Sequence, residues 1–469
     1  MEGNINQQLL GEVSIADQVS FKDKLWSETK KLWILATPAI CTRVSTFGIY
    51  VITQAFVGHI GSTELAAFSF VYTVILRFAN GILLGMASAL GTLCGQSYGA
   101  KQYHMLGVYL QRSWIVMFVA SIFLLPLFIF TTPILKLLGQ SDSMAYIGGE
   151  VGRWLISTLF AFIVSFTCQM YLQSQSKNMI ITYLAAVTIV IHIFLSWLLT
   201  VKYKLGIPGA MLSTVFAFWI PNIGQLIYVM CGGCRDTWKG FSLLAFKDLW
   251  PVVKLSLSSG VMLCVELWYY TVLVLITGYL KNSEASIDAL TICLNINGWE
   301  MMISLGFMSA ASVRVGNELG RGSSTAAKFS IVVTVFTSFI IGFVLFLFFL
   351  FLKGRLAYIF TENEEVVEAI ADLSPLLAVS ILLNSVQPVL SGVAVGAGWQ
   401  SIVAYVNVAS YYIGVWMGML FGTFVQTIAL VIITYKTNWD EQVIAARNRV
   451  KRWAVDDAQE PKLTTSDVS

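Results

Sequence analysis

In the stretch GVMLCVELWYYTVL at residues 260–273, Glu266 is a lone carboxylate among apolar and aromatic side chains. A second acid, Glu300, follows in NINGWEMM, with Asn297 and Ser304 spaced to share its helical face. Charges at membrane depth are costly and usually turn towards a cavity or a partner. Glu266 can therefore bind and release a proton or pair with a cationic substrate; the competing reading is a structural hydrogen bond to a neighbouring helix. The Asn297–Glu300–Ser304 stripe is expected to face the same cavity, with packing between helices as the alternative. Tyr269 and Tyr270 can add an aromatic wall for a planar or cationic ligand. Asn384, Ser385 and Gln387 form a polar patch before Pro388, and Gln54, Asn80, Arg77 and Gln169 are the polar candidates of the first half. Pro388 frees a backbone carbonyl and allows a bend, and Pro38 does so in the first apolar run. Arg43 and Arg77 are expected to snorkel towards an interface rather than to touch a substrate.

The elements that must carry these residues follow from composition. The 469 residues are 57% hydrophobic and 12% charged, whereas soluble domains carry about 25% charged residues. Mean hydropathy is +0.75. Apolar runs approaching or exceeding the roughly 20 residues of a membrane span lie near 33–57, 65–93, 113–138, 147–172, 180–201, 208–231, 251–279, 287–312, 327–352, 370–396 and 402–435. The expected class is an all-α polytopic membrane protein. The polar first 32 residues hold Lys22, Lys24, Lys30 and Lys31 and show no signal-peptide pattern.

Enzyme and nucleic-acid readings find no support. His59, His104 and His192 form no cluster in the sequence, no phosphate-binding P-loop is present, and the net charge of +3 accompanies almost no soluble surface. No cofactor is expected. Of seven cysteines, only CGGC at 231–234 has ligand spacing, and without a second pair it reads as a turn leaving the membrane rather than a metal site.

GMASALGTLCGQSYG at 85–99 returns as GFMSAASVRVGNELG at 306–320, so Gly85, Gly95 and Gly99 match Gly306, Gly316 and Gly320. Two parallel repeats of six spans are implied, related by an axis along the membrane normal. The expected organisation is a cytoplasmic tail 1–32, an N-lobe 33–231, a cytoplasmic connection 232–250, a C-lobe 251–435 and a cytoplasmic tail 436–469. Placing both termini inside puts about 20 Lys and Arg on the cytoplasmic side and about seven outside. The second half is short: its last two spans have only about 34 residues, or about 50 Å as one helix. They are expected as two shortened helices breaking near Gly414, or merged into one.

With these residues in hand, the sequence resembles the plant multidrug and toxic compound extrusion (MATE) family. The matching stretches include QAFVGHIG at 54–61, CGQSYGA at 94–100, LQSQSKN at 172–178, ASVRVGNELG at 311–320, NSVQPVLSGVAVGAGWQ at 384–400, AYVNVASYY at 404–412 and TYKTNWD at 434–440. The resemblance implies twelve helices in two six-helix lobes around a central cavity, in a monomer contacting membrane lipid. It implies proton-coupled antiport of small organic solutes such as xenobiotics, flavonoids and alkaloids, across the vacuolar or plasma membrane. Glu266 matches the family's proton-binding acid in the seventh helix, while Asn384 stands where some members have an aspartate. A lipid or lipid-linked flippase on the same architecture is the alternative activity, and the short second half also admits a truncated, inactive isoform.

Overall fold

Backbone in hydrocarbon must satisfy its own hydrogen bonds, which makes helices of the apolar runs. The computed structural model is described over residues 21–277, 284–352, 355, 358, 363–417 and 419–457. Side chains are described there except at 269–277, 284–288, 290, 291, 412–417, 419 and 453–457. Six helices form the first half: α1 (Phe21–Gly58), α2 (Ser62–Gly99), α3 (Tyr103–Ile129), α4 (Asp142–Ser174), α5 (Met179–Lys202) and α6 (Gly206–Gly233). Six form the second: α7 (Leu249–Thr277), α8 (Glu284–Arg321), α9 (Ser324–Leu352), α10 (Glu364–Ala397), α11 (Gln400–Met417) and α12 (Met419–Lys436). An amphipathic helix, α13 (Trp439–Asp457), follows α12.

Local chemistry sets several boundaries. Asn363 caps α10 by accepting from the Glu365 N–H at 3.0 Å, with Glu364 and Glu365 in the positive first turn. Gly398 ends the same helix in the left-handed conformation at φ 87°. Inside α10, Ser385 and Val386 interrupt the helix just before Pro388, as the missing proline N–H requires. Gly232 at φ 113° turns the chain out of α6 between the exposed Cys231 and the buried Cys234, the turn expected for CGGC. The following segment is fastened to α3, where Gln111 donates to the Gly240 carbonyl at 2.9 Å and Arg112 to that of Leu244 at 3.0 Å.

Nine stretches among the described residues are long and apolar enough to cross a membrane: α1–α6, residues 249–268 of α7, α9 and α10. The remaining three are special cases. The 38-residue α8 is diluted by Asn297, Glu300, Arg314, Asn317 and Glu318. Helices α11 and α12 have 18 residues each, roughly 27 Å against a core of about 30 Å. The short region therefore resolves into two shortened helices rather than a merged one. Helix α11 runs past Gly414, the break expected from the sequence, to Met417.

The two halves meet through symmetric pairs. Helix α1 packs on α8 and α7 packs on α2, while α2 and α8 cross each other. The repeated glycines make these crossings. Gly95 and Gly316 face each other, a Cβ on Gly95 meeting the Gly316 Cα at 3.6 Å. A Cβ on Gly99 would overlap the Asn317 carbonyl, and one on Gly320 the Gln96 carbonyl. Higher up, Gly85 abuts Ser259 of α7 and Gly306 abuts Ile40 of α1. The sequence repeat is thus a packing repeat, with glycine where backbones approach most closely.

Beneath the Gly95–Gly316 contact, α13 folds back at 85° to α12. It is held by Trp399 donating to Gln442 at 2.8 Å, by the Trp399–Trp439 ring pair at 5.1 Å, and by Arg449 donating to Gln96 Oε1 at 2.6 Å.

Candidate functional site

Above the glycine contact the lobes separate around a central cavity. Its N-lobe wall includes Arg43, Thr46, Phe47 and Tyr50 of α1 and Tyr72, Thr73, Arg77, Asn80 and Ser88 of α2. Its C-lobe wall includes Leu263, Glu266 and Leu267 of α7 and Met301, Met302, Leu305, Met308, Ser309 and Ser312 of α8. Gly91, Val313 and Val395 line it near the closed end. A wall of methionine and aromatic side chains with a few polar groups suits adaptable binding of small organic molecules.

Glu266 lies on this wall and is only 1% exposed. One carboxylate oxygen accepts from Gln387 Nε2 at 3.1 Å and the other from Asn407 Nδ2 at 3.4 Å. Asn407 is fixed in turn by Gln426, which donates to its Oδ1 at 2.8 Å, while Gln387 also donates to Ser391 at 3.2 Å. No basic side chain among the described residues pairs with Glu266. Among the described residues its charge is supported by amide dipoles alone, and a proton is what can remove it.

Asn407 and Gln426 were not singled out from the sequence. Both are uncharged amides in the 402–435 run, 19 residues apart, with no spacing that marks them as partners of Glu266. The shortened α11 and α12 are the helices that deliver them to Glu266.

The Asn297–Glu300–Ser304 stripe is real: Ser304 donates to Glu300 Oε1 at 2.7 Å, and all three side chains are buried. It turns towards α10 instead of the central cavity. Asn384 donates to Asn297 Oδ1 at 3.1 Å and Ser380 does so at 3.4 Å. The α8 face lining the cavity is instead the methionine row. Glu300 Oε2 has no hydrogen-bond partner among the described residues.

Other expected residues divide similarly. Asn80 lines the cavity, whereas Gln54 donates to Ser69 at 3.3 Å. Gln169 donates to Ser165 at 3.1 Å and faces a separate cavity inside the N-lobe. The Pro38 carbonyl accepts from Thr42 at 2.8 Å and from Thr182 at 3.3 Å, which ties α1 to α5. Tyr269 and Tyr270 lie outside the described side chains; their neighbour Trp268 packs edge-on against Phe78 at 5.1 Å. Arg43 and Arg77 correct the snorkelling expectation, because both line the central cavity. Depth along a helix can be read from sequence, but the direction a side chain takes around it cannot.

The closed end carries its own polar seal. Thr92 donates to the Val395 carbonyl at 2.6 Å, Gln96 to that of Gly396 at 3.0 Å, and Gln400 to Thr92 at 2.8 Å. Beside it, Arg314 donates to both Glu28 oxygens at 2.8 and 2.9 Å and to Glu318 at 2.7 Å, bridging α8 to α1.

Comparison with known proteins agrees with this geometry. The MatE family matches residues 38–198 and 259–420. Protein DETOXIFICATION 22 of Arabidopsis thaliana is 59% identical, with 96% of this chain and 95% of that protein aligned. Protein DETOXIFICATION 21 of the same plant is also 59% identical over the same shares. The crystal structure of the eukaryotic MATE transporter AtDTX14 superposes with a TM-score of 0.86 at 30% identity, covering 91% of this chain and 100% of that one.

Proposed function

The chain belongs to the MatE family of multi-pass membrane transporters, and on that premise we propose that it exports or sequesters small organic solutes by proton-coupled antiport. The observation that carries the reading is Glu266, a buried acid on the cavity wall held by Gln387 and Asn407 with no cation beside it. In its ionised form it competes for a place that a proton can neutralise. Its partners come from α10 and α11, so proton uptake acts on three helices of one lobe at once. Breaking those bonds loosens α7 against α10 at the Pro388 interruption, which serves as the hinge, with Pro38 its counterpart in α1.

The organisation behind this reading is an N-lobe of residues 33–231 and a C-lobe of 251–435, joined by 232–250 and flanked by tails 1–32 and 436–469. Both termini and the glycine-sealed end face the cytoplasm, in keeping with the basic residues gathered there. The conformation is then closed towards the cytoplasm. The protein works as a monomer in the vacuolar or plasma membrane, with protons, the organic solute and lipid as its partners. Asn384, bonded to Asn297, leaves one acid rather than two on the proton path.

Proteoliposomes with an imposed pH gradient test the reading, with ethidium and 5-carboxyfluorescein as reporter solutes. Gradient-dependent flux by the native protein, lost in Glu266→Gln, is the expected result. Equal flux by Glu266→Gln at every pH would remove the proton assignment.

A further inference from the structure

The backbone repeats between the lobes, but the charge does not. At the constant spacing of about 221 residues, Arg43 and Arg77 correspond to Cys264 and Gly298, and Glu266 and Glu300 to Ser45 and Ala79. Every intramembrane charge of one lobe thus has a neutral counterpart in the other, and the central cavity is polarised across the axis. Cations stand on the N-lobe wall and an acid on the C-lobe wall.

The arginines are not used up by the protein. No carboxylate among the described residues pairs with Arg43, which is half-buried, or with Arg77, which is exposed. Local structure presents them to the cavity. A π-helical turn at Val71–Leu76 immediately precedes Arg77, and such turns redirect side chains at functional sites. Tyr72 lies in this turn and stacks on Tyr50 of α1 at 4.3 Å, giving a flat aromatic surface on the wall that carries both arginines. Glu266, opposite, is already engaged by Gln387 and Asn407. The charge on the cavity wall that no side chain engages among the described residues is therefore positive, and it is open to a ligand.

We infer that the central cavity takes an aromatic organic anion, its carboxylate or phenolate held by Arg43 and Arg77 and its ring laid against Tyr50 and Tyr72. Guanidinium forks match carboxylate oxygens in pairs and also stack on aromatic faces. The inference rests on the export reading only for the direction of movement; binding of the anion stands apart from it.

The full-length purified protein is titrated with 5-carboxyfluorescein, an aromatic anion, and with ethidium, an aromatic cation, and binding is read by fluorescence anisotropy. The native protein is expected to bind 5-carboxyfluorescein, with Kd weakened at least about tenfold in Arg43→Gln and in Arg77→Gln. Arg43→Lys, which keeps the charge but loses the fork, is expected to recover part of the affinity. Ethidium binding should be unchanged or tighter in all three variants. If Arg43→Gln does not fold, Arg77→Gln and competition on the native protein by benzoate against benzamide decide the matter, benzoate alone displacing the dye. Absence of 5-carboxyfluorescein binding, or a Kd unchanged by the substitutions, overturns the inference. Gradient-driven ethidium flux without anion binding would overturn it and leave the transport reading standing. Arg-dependent anion binding without flux of either dye would uphold it and remove the transport reading.

Discussion

The two lobes share a packing scheme and differ in chemistry. At the crossing of α2 and α8 the same glycines recur, because a side chain at Gly99 or Gly320 would collide with a carbonyl of the facing helix. On the other faces of the same helices, corresponding positions diverge. Arg314 and Glu318 of α8 form a buried ion cluster with Glu28, while their counterparts in α2 are Leu93 and Ser97. In the C-lobe, buried polar groups converge on Glu266. In the N-lobe they converge on His192, whose Nε2 meets Thr53 Oγ1 at 3.1 Å, with Thr53 also 2.9 Å from Thr214. Among the described residues the N-lobe cluster holds no carboxylate. Close backbone contact constrains both copies of a repeat alike, whereas cavity walls and polar interiors can specialise separately.

The difference can be broken or sharpened by substitution, and the largest effect is expected at the ion cluster. Arg314→Ala leaves Glu28 and Glu318 buried without their main partner and should cost about 3–5 kcal/mol, read from denaturation in detergent. Ser97→Ala, at the position matching Glu318, should cost under about 1 kcal/mol. Similar losses at the two positions would contradict the asymmetry.

The glycines should behave alike. Gly99→Ala and Gly320→Ala each force a backbone shift worth about 1–3 kcal/mol. A loss at only one of them would break the packing symmetry. Asn407→Leu removes a donor from Glu266 and leaves Gln426 unpaired, at about 1–3 kcal/mol, and gradient-driven flux should fall with it. Unchanged flux would separate α11 from the proton site. The smallest effect belongs to the N-lobe cluster. Thr53→Val should cost about 1 kcal/mol and leave gradient-driven flux at the native level; loss of coupling there would give the N-lobe a share of the proton work.

Much of this arrangement was legible in the sequence. Long apolar runs can only be helices in a membrane, and the glycine repeat carried the symmetry that the α2–α8 crossing displays. Glu266 was conspicuous because an acid in such a run has few inert roles, and Gln387 stood out beside Pro388. The rest depended on what a single helix does not encode. Helix α1 has no clear apolar face, so the inward turn of Arg43 could not be read from its spacing. The π-helical turn that sets Arg77 has no signature in VYTVIL. The pairing of Asn407 with Gln426 requires α11 and α12 to fold back on each other, a contact made after the helices form. The spacing around Glu300 defines one helical face, but its direction is set by Asn384 and Ser380 on α10.

The central claim is that Glu266 takes up and gives up the proton, and infrared difference spectroscopy tests it most directly. Purified native protein and Glu266→Gln are each cycled between acidic and alkaline buffer while the carbonyl stretch of protonated carboxyl groups is followed. The native protein should show a band that grows on acidification and is missing from Glu266→Gln while remaining in Glu300→Gln. Identical difference spectra for the native protein and Glu266→Gln would contradict the account.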